Sequence, residues 1–77
     1  MAQPERVLLV SLGLAFAEVR RERGLTQEDL SLATGVHRNY IGGIERGERS
    51  PTVEKIATLA RALGVSLSDL FARAEAR

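Results

Sequence analysis

The stretch that decides the fold is Gln27-Glu28-Asp29-Leu30-Ser31-Leu32-Ala33-Thr34-Gly35-Val36-His37-Arg38-Asn39-Tyr40-Ile41-Gly42-Gly43-Ile44-Glu45-Arg46-Gly47. It reads as two short helices joined by a tight turn. Thr26, just ahead of it, suits a helix N-cap, because its hydroxyl accepts a backbone N–H that has no partner inside the helix. Glu28 and Asp29 then fall in the first turn, where the helix dipole favours negative charge. The first helix runs to about Ala33, and Gly35 is free to take the positive φ of a turn. The second starts near His37, runs to about Arg46 and stops at Gly47. Leu30, Val36, Ile41 and Ile44 are placed to lock the two helices at a steep angle, with the small Ser31 at their crossing. Arg38, Asn39, Gly42, Gly43 and Arg46 are left on the outer side of the second helix, a face without large apolar side chains.

Three more helices surround this pair. One runs from about Glu5 to Arg23 and stops at Gly24. Its Leu8, Leu12, Ala15, Phe16 and Val19 share one face, while Val10, Leu14 and Ala17 form a second stripe on roughly the opposite side. One core cannot cover both stripes, so a second subunit or the C-terminal segment is expected over the other. A fourth helix spans Val53 to Leu63, stops at Gly64, and turns Val53, Ile56, Ala57, Ala60 and Leu63 inward. The fifth opens with Ser66-Leu67-Ser68-Asp69, which resembles a capping box with Asp in place of Glu. It buries Leu67, Leu70 and Phe71 and is expected to fray over Ala72–Arg77. No segment alternates apolar and polar residues as a half-buried strand does. The expectation is a compact all-α five-helix bundle, one domain over residues 1–77.

Composition removes most other functions. With 77 residues the chain has room for one domain. There is no Cys and one His, so disulfides, zinc fingers, iron–sulfur clusters and thiol catalysis are out, and no metal site is expected. Nothing combines a nucleophile with a base or forms a phosphate-binding glycine loop, so the chain is not expected to be an enzyme or to need a cofactor. Aromatics at 4% are too few for a platform that stacks single-stranded bases. The formal net charge of +1 leaves duplex DNA open, because the placement of charge decides that. Arg6 and the apolar run Val7–Ala17 resemble a secretion signal, but the pattern continues in phase through Val19 into Arg20. A helix in a cytoplasmic protein is the better expectation, with no membrane partner.

A rod with a polar outer face, steadied by a shorter helix, fits the major groove of DNA, and residues 26–47 have the spacing of a helix-turn-helix. The blocks Leu25-Thr26-Gln27-Glu28-Asp29-Leu30, Gly35-Val36, Ile41-Gly42-Gly43-Ile44-Glu45-Arg46-Gly47, Ser50-Pro51-Thr52 and Ala62-Leu63-Gly64-Val65 resemble the lambda-repressor-like Cro/C1-type (XRE) domain. Within that family, His37 to Arg49 looks most like the controller proteins of restriction–modification systems. Gly42 stands where those proteins often have Ser, and Pro51 follows Ser50 where they often have Asn. The resemblance implies a sequence-specific, double-stranded-DNA-binding transcriptional regulator. It would act as a homodimer on a palindromic operator, with RNA polymerase a further candidate partner. An antitoxin or prophage-type repressor of the same fold is the alternative, and a protein-interaction module without DNA binding is the alternative of another class.

Residue roles follow the same positions. Arg38, in the first turn of the second helix, is placed to grip guanine O6 and N7 with its planar fork. Asn39 suits adenine or a phosphate equally. His37 caps the helix or touches a phosphate. Tyr40 packs between helices, and the resemblance implies that its hydroxyl also reaches DNA. Gln27 resembles the family's phosphate-clamping glutamine. Gly42 and Gly43 each weaken a helix by about 1 kcal/mol relative to Ala, and either let it approach the groove floor or have no role. Arg46 and Arg49 look like phosphate contacts. Glu45 resembles the glutamate that pairs with an arginine late in helix one, here Arg20. Leu59, Ala62, Leu67, Leu70 and Phe71 are candidates for the dimer interface, with Val7, Val10 and Leu14 as the rival surface. No segment is left over for an effector domain, so no small-molecule ligand is expected, and control is expected through concentration and cooperative dimers.

Overall fold

Four of the five helix starts are set by a side chain that captures an unpartnered backbone N–H. In the computed structural model, which describes residues 4–77, the elements are α1 (Pro4–Glu22), α2 (Gln27–Thr34), α3 (Arg38–Glu45), α4 (Val53–Leu63) and α5 (Leu67–Glu75). Residues 1–3, part of the expected domain, lie outside the described residues. Thr26 Oγ1 accepts from Asp29 N at 2.9 Å, and Asp29 Oδ2 accepts from Thr26 N at 2.8 Å, a reciprocal box that fixes the start of α2. His37 Nδ1, Thr52 Oγ1 and Ser66 Oγ cap α3, α4 and α5. Gly35 closes α2 at φ 76° and Gly64 closes α4 at φ 71°, both in the left-handed region. The all-α architecture with a helix-turn-helix is as the sequence implies, and no strand occurs among the described residues. Among these residues, no helix is long and apolar enough to cross a membrane.

The core gathers Leu12, Phe16 and Val19 of α1 with Leu30, Ile41, Ile44, Ile56, Leu59, Leu63 and Leu70. Burying such side chains is worth about 1.5–3 kcal/mol each. α1 forms the spine: α5 packs along it, and the C-terminal end of α3 crosses it.

That crossing explains where the second stripe of α1 goes. A β-carbon built on Gly13 would lie 2.3 Å from the Ile44 carbonyl oxygen, so the α3 end rests directly on the α1 backbone. Val10, one turn earlier, meets Gly47 in the same way. Ala17 and Arg20 continue this face at helical spacing and are buried. Ala17 therefore belongs to the monomer interior, covered without a second subunit, whereas Val7, Val10 and Leu14 remain exposed.

Other expectations change for reasons of coverage. Leu8 is exposed, because the first turns of α1 lie beyond the reach of the other helices. Val53 is exposed at the first position of α4, ahead of the packed stripe. Leu67 and Phe71 are only partly buried against the core. Leu59 and Leu70, expected at a dimer interface, are fully buried inside the monomer, since they occupy the inward faces of α4 and α5. Their side chains are not available to a second copy. The C-terminus does not fray from Ala72. α5 continues to Glu75 with Ala74 buried, because Arg73 donates to Glu18 at 2.7 Å and to both carboxylate oxygens of Glu22 at 2.7 and 3.0 Å. Arg77 also bonds Glu18.

Candidate nucleic-acid interface

The outer surface of the α2–turn–α3 unit is assembled on a rigid support. Arg20, at the inner end of α1, holds Glu45 through two bonds, Nε to Oε2 at 2.6 Å and Nη2 to Oε1 at 2.9 Å. Its third bond, Nη1 to the Leu25 carbonyl at 2.8 Å, ties down the loop before α2. Both side chains are largely buried, and the hydrogen bond that Arg20 donates to Glu45 raises the Arg20 pKa above its ordinary value. Gln27 Nε2 donates to Glu45 Oε1 at 3.0 Å, so α1, α2 and α3 meet at one carboxylate. Gln27, expected as a phosphate clamp, thus spends its amide N–H inward; its Oε1 lies beside Gly42.

On this support the first turn of α3 faces solvent. His37, Arg38 and Asn39 are all exposed. His37 Nδ1 accepts from Asn39 N at 3.0 Å, so this ring nitrogen serves the cap. Arg38 Nη1 donates to Glu28 Oε2 on α2 at 2.9 Å, an exposed pair.

Farther along α3, two arginines roof the two glycines. A β-carbon at Gly42 would meet Arg46 Nη1 at 2.9 Å, and one at Gly43 would meet Arg49 Cγ at 2.5 Å. Gly43, expected to touch DNA, is buried, and in this state the arginine stem covers it. The glycines make room for long cationic side chains that lie flat on the helix, which neither reading of the sequence foresaw. Arg46 also bonds Glu48 at 3.0 Å.

Tyr40 is half-buried, and its ring carries two cations: Lys55 Nζ is 5.0 Å from the ring centroid and the Arg49 guanidinium carbon is 5.7 Å away. Such contacts hold a cation without neutralising it. Among the described residues, neither Lys55 nor Arg49 lies within ion-pair distance of a carboxylate. Lys55 is a residue that sequence reasoning missed. It sits in the first turn of α4, and no motif signals that α4 starts beside Tyr40. The surface therefore offers Arg38, Arg46, Arg49 and Lys55 against the exposed carboxylates Glu28, Glu48 and Glu54.

Residues 16–70 match the helix-turn-helix family model. The chain belongs to that family. Among its relatives is a protein described as an uncharacterized HTH-type transcriptional regulator, y4dJ, from Sinorhizobium fredii, 48% identical over 59 residues, 77% of each chain. Control protein C.SmaI from Serratia marcescens is 43% identical over 54 residues, which are 70% of this chain and 64% of that one. Among solved structures, the restriction–modification controller protein C.Esp1396I, a tetramer in complex with its natural 35 base-pair operator, superposes with a TM-score of 0.80. It is 33% identical and covers 90% of this chain and 91% of its own. Within the family the chain is of the XRE type, and restriction–modification controller proteins are among both its relatives and its structural neighbours.

Proposed function

We propose that this protein is a transcriptional regulator that binds double-stranded DNA sequence-specifically as a homodimer, of the restriction–modification controller kind. The observation that carries the reading is the exposed polar first turn of α3, His37-Arg38-Asn39, on a unit clamped from behind by Arg20 and Glu45. A groove-reading helix needs side chains directed outward from a backbone that does not move. Arg38 and Asn39 read base edges, while Tyr40, Arg46, Arg49 and Lys55 hold phosphates. Gln27 and His37 sit at helix starts whose free N–H groups favour a phosphate. One such helix reads few base pairs, so two copies related by a two-fold axis read half-sites about one helical turn apart. The operator tetramer of C.Esp1396I lends support by likeness.

The dimer forms through the C-terminal surface, where Ala62 is exposed and Leu67 and Phe71 are partly so. The Val7, Val10 and Leu14 face is the second reading, favoured by its larger exposure. Sedimentation separates them: Phe71→Asp gives folded monomers under the first reading, and Leu14→Asp does so under the second.

A gel-shift with the DNA upstream of the protein's own gene tests the function. Wild type should give a sequence-specific shift that Arg38→Ala loses. An unshifted promoter at micromolar protein would overturn the reading.

A further inference from the structure

Glu28 and Arg38 stand on different helices, and the pair joins their two starts. We propose that Glu28 is a positioning residue for sequence reading, one that aims the Arg38 guanidinium at base edges and away from phosphates. The inference rests on the proposed DNA-binding function and names what would give Arg38 its selectivity.

Apart from its modest benefit as a negative charge in the first turn of α2, the carboxylate makes no bond other than the one to Arg38 among the described residues. Its side chain is 56% exposed and that of Arg38 59%, so the pair contributes little to folding. A negative charge on a DNA-facing surface also repels phosphates, which opposes binding in general. It remains to be useful for where it sends the arginine. Both ends of the pair are anchored. The reciprocal Thr26–Asp29 bonds fix the backbone that carries Glu28, and the His37 cap fixes the turn that carries Arg38. Glu48, the partner of Arg46, lies in a loop two residues away and offers no such fixed reference.

The geometry leaves the fork usable. Glu28 takes a bond from Nη1, and the other guanidinium N–H groups remain for a base. A phosphate that approached Arg38 from the Glu28 side would meet like charge, whereas the neutral acceptors of a guanine edge would not. Inside a groove that excludes water, the pull of Glu28 on Arg38 strengthens, since the local dielectric falls. Holding the side chain in one orientation also reduces the entropy lost when it binds.

The test uses the full chain and two duplexes of equal length, one recovered by repeated selection from a random pool and one scrambled. Affinities are measured for wild type, Glu28→Ala, Arg38→Ala and the double variant. Glu28→Ala should tighten binding to the scrambled duplex and weaken binding to the selected one, so that their ratio falls about tenfold, within the range of one base contact. In the Arg38→Ala background, loss of Glu28 should leave the ratio unchanged. The thermal midpoint of Glu28→Ala should lie within a few degrees of wild type, reflecting the loss of one first-turn charge. If Glu28→Ala tightens both duplexes equally, the carboxylate is only a repeller and the inference falls, while the proposed function stands if Arg38→Ala still collapses the ratio. If Arg38→Ala leaves the ratio intact, or selection enriches nothing, the function reading fails first and this inference falls with it.

Discussion

Gly13 and Ile44 are in backbone contact: a β-carbon on residue 13 would lie 2.3 Å from the Ile44 carbonyl oxygen and 2.7 Å from that of Glu45. No side-chain rotation relieves a clash with backbone. A helical Gly→Ala change ordinarily gains about 1 kcal/mol. Here the helices must separate, and overpacking costs about 1–3 kcal/mol. Gly13→Ala should therefore lower the urea midpoint. A raised midpoint would refute the close approach.

Arg20 and Glu45 form the second test. Glu45→Ala strands a largely buried guanidinium, at a cost of about 3–5 kcal/mol. A domain of this size has a total stability of only about 4–12 kcal/mol, at about 0.05–0.15 per residue. The variant should be mostly unfolded at moderate urea, while Arg20→Met with Glu45→Met together should be clearly milder. Equal losses in the single and double variants would contradict a paired, desolvated bridge.

Acid sensitivity follows from two carboxylates. The Thr26 backbone N–H holds Asp29 below its ordinary pKa of 3.8, and the hydrogen bond from Arg73 holds Glu22 below 4.5. A depressed carboxylate stabilises the fold above its unfolded pKa and loses that effect as pH falls through its folded pKa. Circular dichroism should therefore show stability falling as pH drops below about 4.5, with Asp29→Asn flattening part of the decline. An acid profile identical to wild type would exclude the capping carboxylate as a contributor.

Lys55 gives the fourth. Its ammonium rests on Tyr40 without a carboxylate partner among the described residues, so it is free to displace counterions. Lys55→Ala should weaken binding to selected and scrambled duplexes alike, and reduce the slope of log K against log salt by about 1 per monomer. Weakening confined to the selected duplex would assign Lys55 to base reading instead.

Much of the site could be read from residue type and spacing. Arg38 and Asn39 fall on the outer face because Ile41 and Ile44 fix which side of α3 is inner, and helical periodicity carries that over a single turn. Lys55 could not be found this way, since its place beside Tyr40 depends on the path of the loop between α3 and α4. Arg20 and Glu45 were paired through the family resemblance, but the partners of Arg38, Arg46 and Arg73 were hidden. Arg73 bonds Glu22 across 51 positions, and nothing local marks either as a partner. Leu59 and Leu70 show the complementary limit, because an apolar stripe does not reveal whether its own chain or another copy covers it.

The order of the amino acids alone settled most helix starts and stops, through Thr26, Gly35, Gly64 and Ser66, since caps and left-handed turns involve only a few neighbouring residues, while the end of α5 depended on packing against α1. It also settled the helix-turn-helix family, because that spacing lies within one short stretch. Only the three-dimensional packing decided that α3 rests on Gly13, that arginines lie over Gly42 and Gly43, and that Glu28 holds Arg38. These relations join elements whose relative placement depends on how all five helices share one core, and no local pattern encodes that sum.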